Sequence, residues 1–154
     1  MTSRRDFLIA ASGAAGGIGL APASWHALAT PAAMQEAIRK VTGGATVRNG
    51  RVKLDVPPLI DNGNAVPLSV AVESPMTPSD FVKAIHVVTE RNPLPNVLSV
   101  YLGPRSGRAR FATRVRLADT QTVLAIAQFS DGSFWSDSVH VVVTLSACLE
   151  EGLI

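Results

Sequence analysis

An all-β sandwich preceded by one short helix is the fold this sequence predicts, and three observations carry the prediction. Short apolar runs rich in Val, Ile and Thr recur at 51–56, 66–73, 82–90, 97–102, 109–117, 122–129 and 134–145. Turn-forming residues separate them: Pro57-Pro58, Asp61-Asn62-Gly63-Asn64, Ser74-Pro75-Met76-Thr77-Pro78, Asn92-Pro93-Leu94-Pro95, Ser106-Gly107 and Ser130-Asp131-Gly132-Ser133. No segment between two runs is long enough for the helix of a parallel crossover. Seven strands at this spacing fit an antiparallel sandwich of immunoglobulin type.

The chain begins with a different kind of segment. Ser3-Arg4-Arg5-Asp6-Phe7-Leu8 is followed by an uncharged stretch from Ile9 to Ala23, and Ala27-Leu28-Ala29 is a cleavage site of the A-x-A kind. The paired arginines with Phe7 and Leu8 mark a twin-arginine signal over residues 1–29, the type that exports proteins already folded. The middle is rich in Gly and Ala and lacks the roughly 20 strongly apolar residues of a membrane span. The expected product is a periplasmic protein starting at Thr30, with no membrane attachment once the signal is gone.

Removing 29 of the 154 residues leaves a mature chain of 125, one domain by length. Loss of Arg4, Arg5 and Asp6 takes 14 basic and 12 acidic residues to 12 and 11, a formal charge of +1. A chain this close to neutral has little electrostatic affinity for a phosphate backbone, so the sequence pI of 9.1 does not argue for nucleic acid.

Thr30-Pro31 opens the helix, which continues over 32–41. Thr30 can cap it, Pro31 suits its first turn and Gly43-Gly44 stops it. Met34, Ile38 and Val41 form its apolar stripe. In the strands, alternation assigns faces. Val66, Leu68, Val70 and Val72 share one face of the second run. In the fifth, Phe111, Thr113, Val115 and Leu117 share one face, while Arg110, Ala112, Arg114 and Arg116 share the other. In the last, Trp135, Val139, Val141, Val143 and Leu145 point inward and His140 lies opposite. Asp131-Gly132 fits a tight turn that joins the last two runs as a hairpin.

Candidate chemistry is sparse. His86 and His140 lack ligand spacing and read as half-exposed strand residues or contacts to a partner; no metal site and no cofactor is expected. There is no nucleophile elbow, phosphate loop or dinucleotide fingerprint, so no self-contained active site is expected. Arg105, Arg108, Arg110, Arg114 and Arg116 concentrate positive charge in one hairpin, either as a solvated face or for docking an acidic partner or guiding a small anion.

Cys148 is the only cysteine, so it cannot form an intramolecular disulfide. It sits in the tail Ser146-Ala147-Cys148-Leu149-Glu150-Glu151-Gly152-Leu153-Ile154, just past the last strand. Residues 146–154 read as an arm beyond a body of 30–145. A buried small hydrophobe, an incidental thiol and a functional thiol are all open to Cys148; its place near the terminus favours the last.

Nearly the whole chain resembles the SoxY family, the sulfur-carrier subunits of the periplasmic thiosulfate-oxidising system. The matching stretches include Leu59-Ile60-Asp61-Asn62-Gly63, Val66-Pro67-Leu68-Ser69-Val70, Glu73-Ser74-Pro75-Met76-Thr77 and Val82-Lys83-Ala84-Ile85-His86. They continue with Arg91-Asn92-Pro93, Ser106-Gly107-Arg108-Ala109, Thr113-Arg114-Val115-Arg116-Leu117-Ala118, Thr120-Gln121-Thr122-Val123 and Ser130-Asp131-Gly132-Ser133-Phe134-Trp135. The resemblance implies the sandwich read above, a heterodimer with a SoxZ-like β-sandwich subunit, and docking to separate periplasmic sulfur-oxidation enzymes. It also implies a non-catalytic carrier with Cys148 as the covalent attachment point. The family arm is Gly-Gly-Cys-Gly-Gly; here Ser146, Ala147, Leu149 and Glu150 flank the thiol, as in the related group with an Ala-Ala-Cys-Ile-Glu arm. Loss of glycine stiffens and thickens the arm. Glu150 and Glu151 disfavour the thiolate. Two other roles are compatible with this arm: a structural subunit that stabilises the partner, and a thiol-redox protein.

Overall fold

The computed structural model describes residues 30–145, so the signal segment 1–29 and the arm 146–154 lie outside the described residues. Helix α1 (Pro31–Thr42) forms where expected. The Thr30 hydroxyl accepts from the Ala33 N–H at 3.2 Å, and Gly43 ends the helix at φ 62°, a left-handed conformation that favours glycine. Among the described residues no helix is long and apolar enough to cross a membrane.

Nine strands follow: β1 (Val47–Asn49), β2 (Val52–Asp55), β3 (Leu59–Asn62), β4 (Val66–Val72), β5 (Val82–Thr89), β6 (Asn96–Tyr101), β7 (Arg110–Val115), β8 (Gln121–Phe129) and β9 (Phe134–Leu145). They form two sheets. The larger runs β1-β9-β8-β5-β6, with β3 also on β9; the smaller runs β2-β4-β7. All seven expected runs became strands. The two extra ones, β1 and β3, are three and four residues long and carry no alternation. They form because the backbone of β9 offers them a partner: Val47 to Asn49 pair with Phe134 to Ser136, and Leu59 to Asn62 pair with Val142 to Leu145. Both pairings are parallel, so the sandwich is antiparallel except along this one edge.

The core lies between the sheets. Val66, Leu68 and Val70 of β4 face Ile85 and Val87 of β5, Val123 and Phe129 of β8 and Val141 of β9, all at 2 % exposure or less. A second cluster covers part of the larger sheet's outer face, where Met34 of α1 packs on Val88, Ile126 and Phe134. Each buried side chain of this size contributes roughly 1.5–3 kcal/mol.

Three expectations need correction. Leu145 does not point into the core but is 67 % exposed, because β9 outruns the core and Val143 is its last buried residue. Thr113 is exposed and Phe111 half-buried, because β7 is an edge strand paired only with β4. His86 is buried at 7 % exposure, not half-exposed, since β5 lies between β8 and β6 with α1 beside it.

Candidate functional site

The strand directions give the sandwich two distinct ends. β9 runs from the far end at Phe134 to the arm end at Leu145. Cys148, Ser146, Ala147, Leu149 and Glu150 follow in sequence and lie outside the described residues. What is described is their mounting, which β9 supplies from both flanks.

On one side Thr120 anchors it, its hydroxyl accepting from the Val143 N–H at 3.0 Å. On the other, the Val142 N–H donates to the Pro58 carbonyl at 2.8 Å and the Thr144 hydroxyl donates to the Asp61 carbonyl at 3.1 Å. Backbone pairing with β3 reaches Leu145 itself, opposite Asn62. Among the described residues the last attachment therefore falls three positions before the thiol in the sequence.

Beneath this mounting lies a buried amide network. The Gln121 side chain accepts from the Arg91 N–H at 2.8 Å and donates to Asn92 Oδ1 at 2.9 Å and to the Asp119 carbonyl at 3.1 Å. Asn92 donates to the Arg116 carbonyl at 2.8 Å and accepts from the Ala118 N–H at 3.0 Å. The loops on either side of β5–β6 and β7–β8 are thus tied together, and Leu117 N–H completes the tie by donating to Gly63 at 2.8 Å. The exposed Arg91–Asp119 pair at 3.8 Å adds little beyond it. Sequence reading missed this network because Asn92 and Asp119 look like ordinary turn residues; only the quoted stretches 59–63, 91–93, 113–118 and 120–123, which all meet here, hinted at it.

The arginines are arranged differently from the expectation. β6 and β7 belong to different sheets, so the segment joining them is a crossover and not a hairpin. Arg105 and Arg108 lie in that crossover at the far end. Arg110 stands opposite Ala71 and Arg114 opposite Pro67 on the outer face of the smaller sheet, and Arg116 follows the strand at the arm end. All five are exposed. From Arg110 to Arg116 the chain covers about 20 Å, so they form a line and not a cluster. Among the described residues none has a carboxylate within 4.0 Å.

His86 shares a groove of about 660 Å³ with Ser99, Tyr101, Leu94, Gln128 and Lys40 between α1 and β6. Its Nδ1 is 2.8 Å from the Ser99 hydroxyl, and its ring meets Tyr101 edge-on at 6.0 Å. Burial pushes its pKa below the ordinary 6.5. His140 is exposed on the outer face of β9. Among the described residues, no three His, Cys, Asp or Glu side chains gather into a group able to hold a metal ion.

These features can be set against known proteins. The family described as sulfur oxidation protein SoxY matches residues 38–148, a match that ends on the cysteine. A twin-arginine signal family, that of the ubiquitinol-cytochrome C reductase Fe-S subunit, matches residues 1–26. No curated protein matches the chain. Among solved structures, the sulfur carrier protein SoxY from Chlorobium limicola f thiosulfatophilum is similar at 24% identity and a TM-score of 0.61, covering 73% of this chain and 92% of that one. A superoxide reductase (neelaredoxin) from Ignicoccus hospitalis is similar at 14% identity and a TM-score of 0.55, covering 61% and 80%. One from Nanoarchaeum equitans is similar at 9% and 0.52, covering 62% and 100%. At these identities the structural likenesses are of the sandwich alone. The family match spans well over half of the chain, and on that ground the chain belongs to the SoxY family of sulfur oxidation proteins.

Proposed function

We propose that this protein is a non-catalytic periplasmic carrier that holds a sulfur-containing intermediate covalently on Cys148 and presents it to partner enzymes of sulfur-compound oxidation. The observation that carries this reading is the family match, which extends through the arm to end at the chain's only cysteine. The mounting supports it: β9 is held on one flank through Val143 and on the other through Leu145, three positions before Cys148 in the sequence. The twin-arginine segment at 1–26 supports delivery to the periplasm in folded form. The sandwich pairs with a SoxZ-like β-sandwich subunit, and that heterodimer docks on the enzymes.

The arm shapes the cargo. Glu150 and Glu151 place negative charge close in sequence to the thiol, which works against an anionic adduct, while Ser146, Ala147 and Leu149 make the arm bulkier than glycine would. The group carried is therefore one that tolerates neighbouring carboxylates.

Intact mass spectrometry of the protein from its own periplasm, isolated without reductant and again after incubation with thiosulfate or sulfide, tests the reading. A reducible sulfur adduct that the Cys148→Ser variant lacks is the expected result. A thiol that stays unmodified throughout would sink the sulfur-carrier reading and leave a structural subunit. Mixed disulfides with other proteins would instead identify a redox thiol.

A further inference from the structure

One side of the sandwich is closed and the other is open. On the closed side β1 and β3 are short, Pro57-Pro58 interrupts the chain between β2 and β3, and the β2 edge carries Lys53 and Asp55. These are the devices by which proteins blunt a strand edge against unwanted pairing. On the open side the edge strands are β6 and β7, and β6 has one bulge, at Val97 against Val87 and Val88 of β5, but neither charge nor proline within it. Its sequence, Asn96-Val97-Leu98-Ser99-Val100-Tyr101, holds no charge and no proline, and among the described residues its outer edge pairs with no other strand.

The apolar surface continues on both sides of that edge. Tyr101 and Leu94 are 76 % and 78 % exposed, far above the other large apolar residues near them. Inward of the edge, Val97, Leu98 and Phe111 belong to the core yet remain partly open to solvent. Positive charge lies nearby: Arg105 and Arg108 in the crossover that follows Tyr101, Arg110 and Arg114 on the outer face of β7, and Lys40 on the groove wall, which Glu36 also lines. Exposed Tyr101 and Leu94, cationic side chains nearby and an edge strand free of charge and proline are features of a protein interface.

We infer that the β6–β7 side is the face on which this chain binds its partner subunit, and that the partner presents an apolar centre rimmed by Asp and Glu. The inference rests on the heterodimer reading above. It assigns the arginine line to the rim of an interface, where such charges speed encounter and set salt dependence more than they set affinity.

The test is titration calorimetry and stopped-flow mixing of the mature chain with its purified SoxZ-like subunit. Tyr101→Lys and Leu94→Lys alter exposed side chains and leave the fold intact, which the melting curve of the free chain checks. Each is expected to weaken the complex by roughly ten- to thirtyfold. Arg110→Glu/Arg114→Glu is expected to slow association about tenfold at low salt, with the difference fading at high salt. Lys53→Glu, on the closed side, is the control and is expected to change nothing. Unchanged affinity in both β6-side variants, or equal loss in the control, overturns the proposed face. Wild-type protein that binds no SoxZ-like subunit overturns the heterodimer and the face together. In either case the carrier reading is judged separately, by the adduct mass on Cys148.

Discussion

At the arm end, two loops meet through the side-chain amides of Asn92 and Gln121, both buried and each making several hydrogen bonds. At the far end, the guanidinium of Arg51 lies 3.9 Å over the Phe129 ring and 5.8 Å from that of Trp135, and reaches the half-exposed Asp80 carboxylate at 3.8 Å. Both assemblies close the sandwich where its strands run out. The amide network is directional, and no member can leave without orphaning another in a dry place. The stacked guanidinium is tolerant, because water can take over whatever it loses. The end that carries the arm is thus the one that resists substitution and holds its geometry.

The two ends can be broken separately. Phe129→Ala is expected to cost the most, about 3–5 kcal/mol in urea unfolding, since it opens a cavity at a fully buried position and removes the surface on which Arg51 rests. Gln121→Ala is expected to cost about 2–4 kcal/mol. It orphans the Arg91 N–H and strips a donor from Asn92 Oδ1, and hydrogen exchange should show the losses confined to the loops near residues 90–95 and 116–121. Arg51→Ala is expected to cost about 1–2 kcal/mol, and Arg51→Gly less. Arg51 sits at φ 55°, where a side chain is strained, so glycine recovers backbone energy that alanine does not.

The smallest effect concerns pH. His86 has a folded-state pKa below 6.5, so its neutral form is favoured by folding. Its contribution is fully present above pH 6.5 and is lost as pH falls through the lowered folded-state value. Unfolding midpoints measured from pH 7.5 to 5 should therefore decline less in His86→Gln than in the wild type. Equal decline would show that His86 is not the group responsible. Acidic groups elsewhere behave differently: Asp131, held below its usual range by the Ser133 hydroxyl and N–H, titrates outside this window.

The sequence made the strands legible where side chains alternate and the ends legible where glycine or proline acts. Thr30, Gly43 and the Asp131-Gly132 turn, with Gly132 at φ 84°, all behave as their residue types require. β1 and β3 escaped notice because backbone pairing to a distant strand makes them, and three or four residues leave no periodic trace. The arginines were legible as a set but not in space. Their distribution depends on β6 and β7 entering different sheets, a matter of topology that local pattern does not encode. For the same reason the Asn92–Gln121 pair, 29 positions apart, became visible only in three dimensions.

The lacing of β9 by β1, β3 and β8 has a consequence for biogenesis. The strand that binds three others is the last of the described strands to be synthesised, and its partners β1 and β3 lie more than 80 residues upstream. Such long-range pairing cannot begin until β9 has been synthesised. The described sandwich therefore commits to its native topology only once β9 is available. A transport system that accepts only completed folds suits a molecule whose final strand closes the structure.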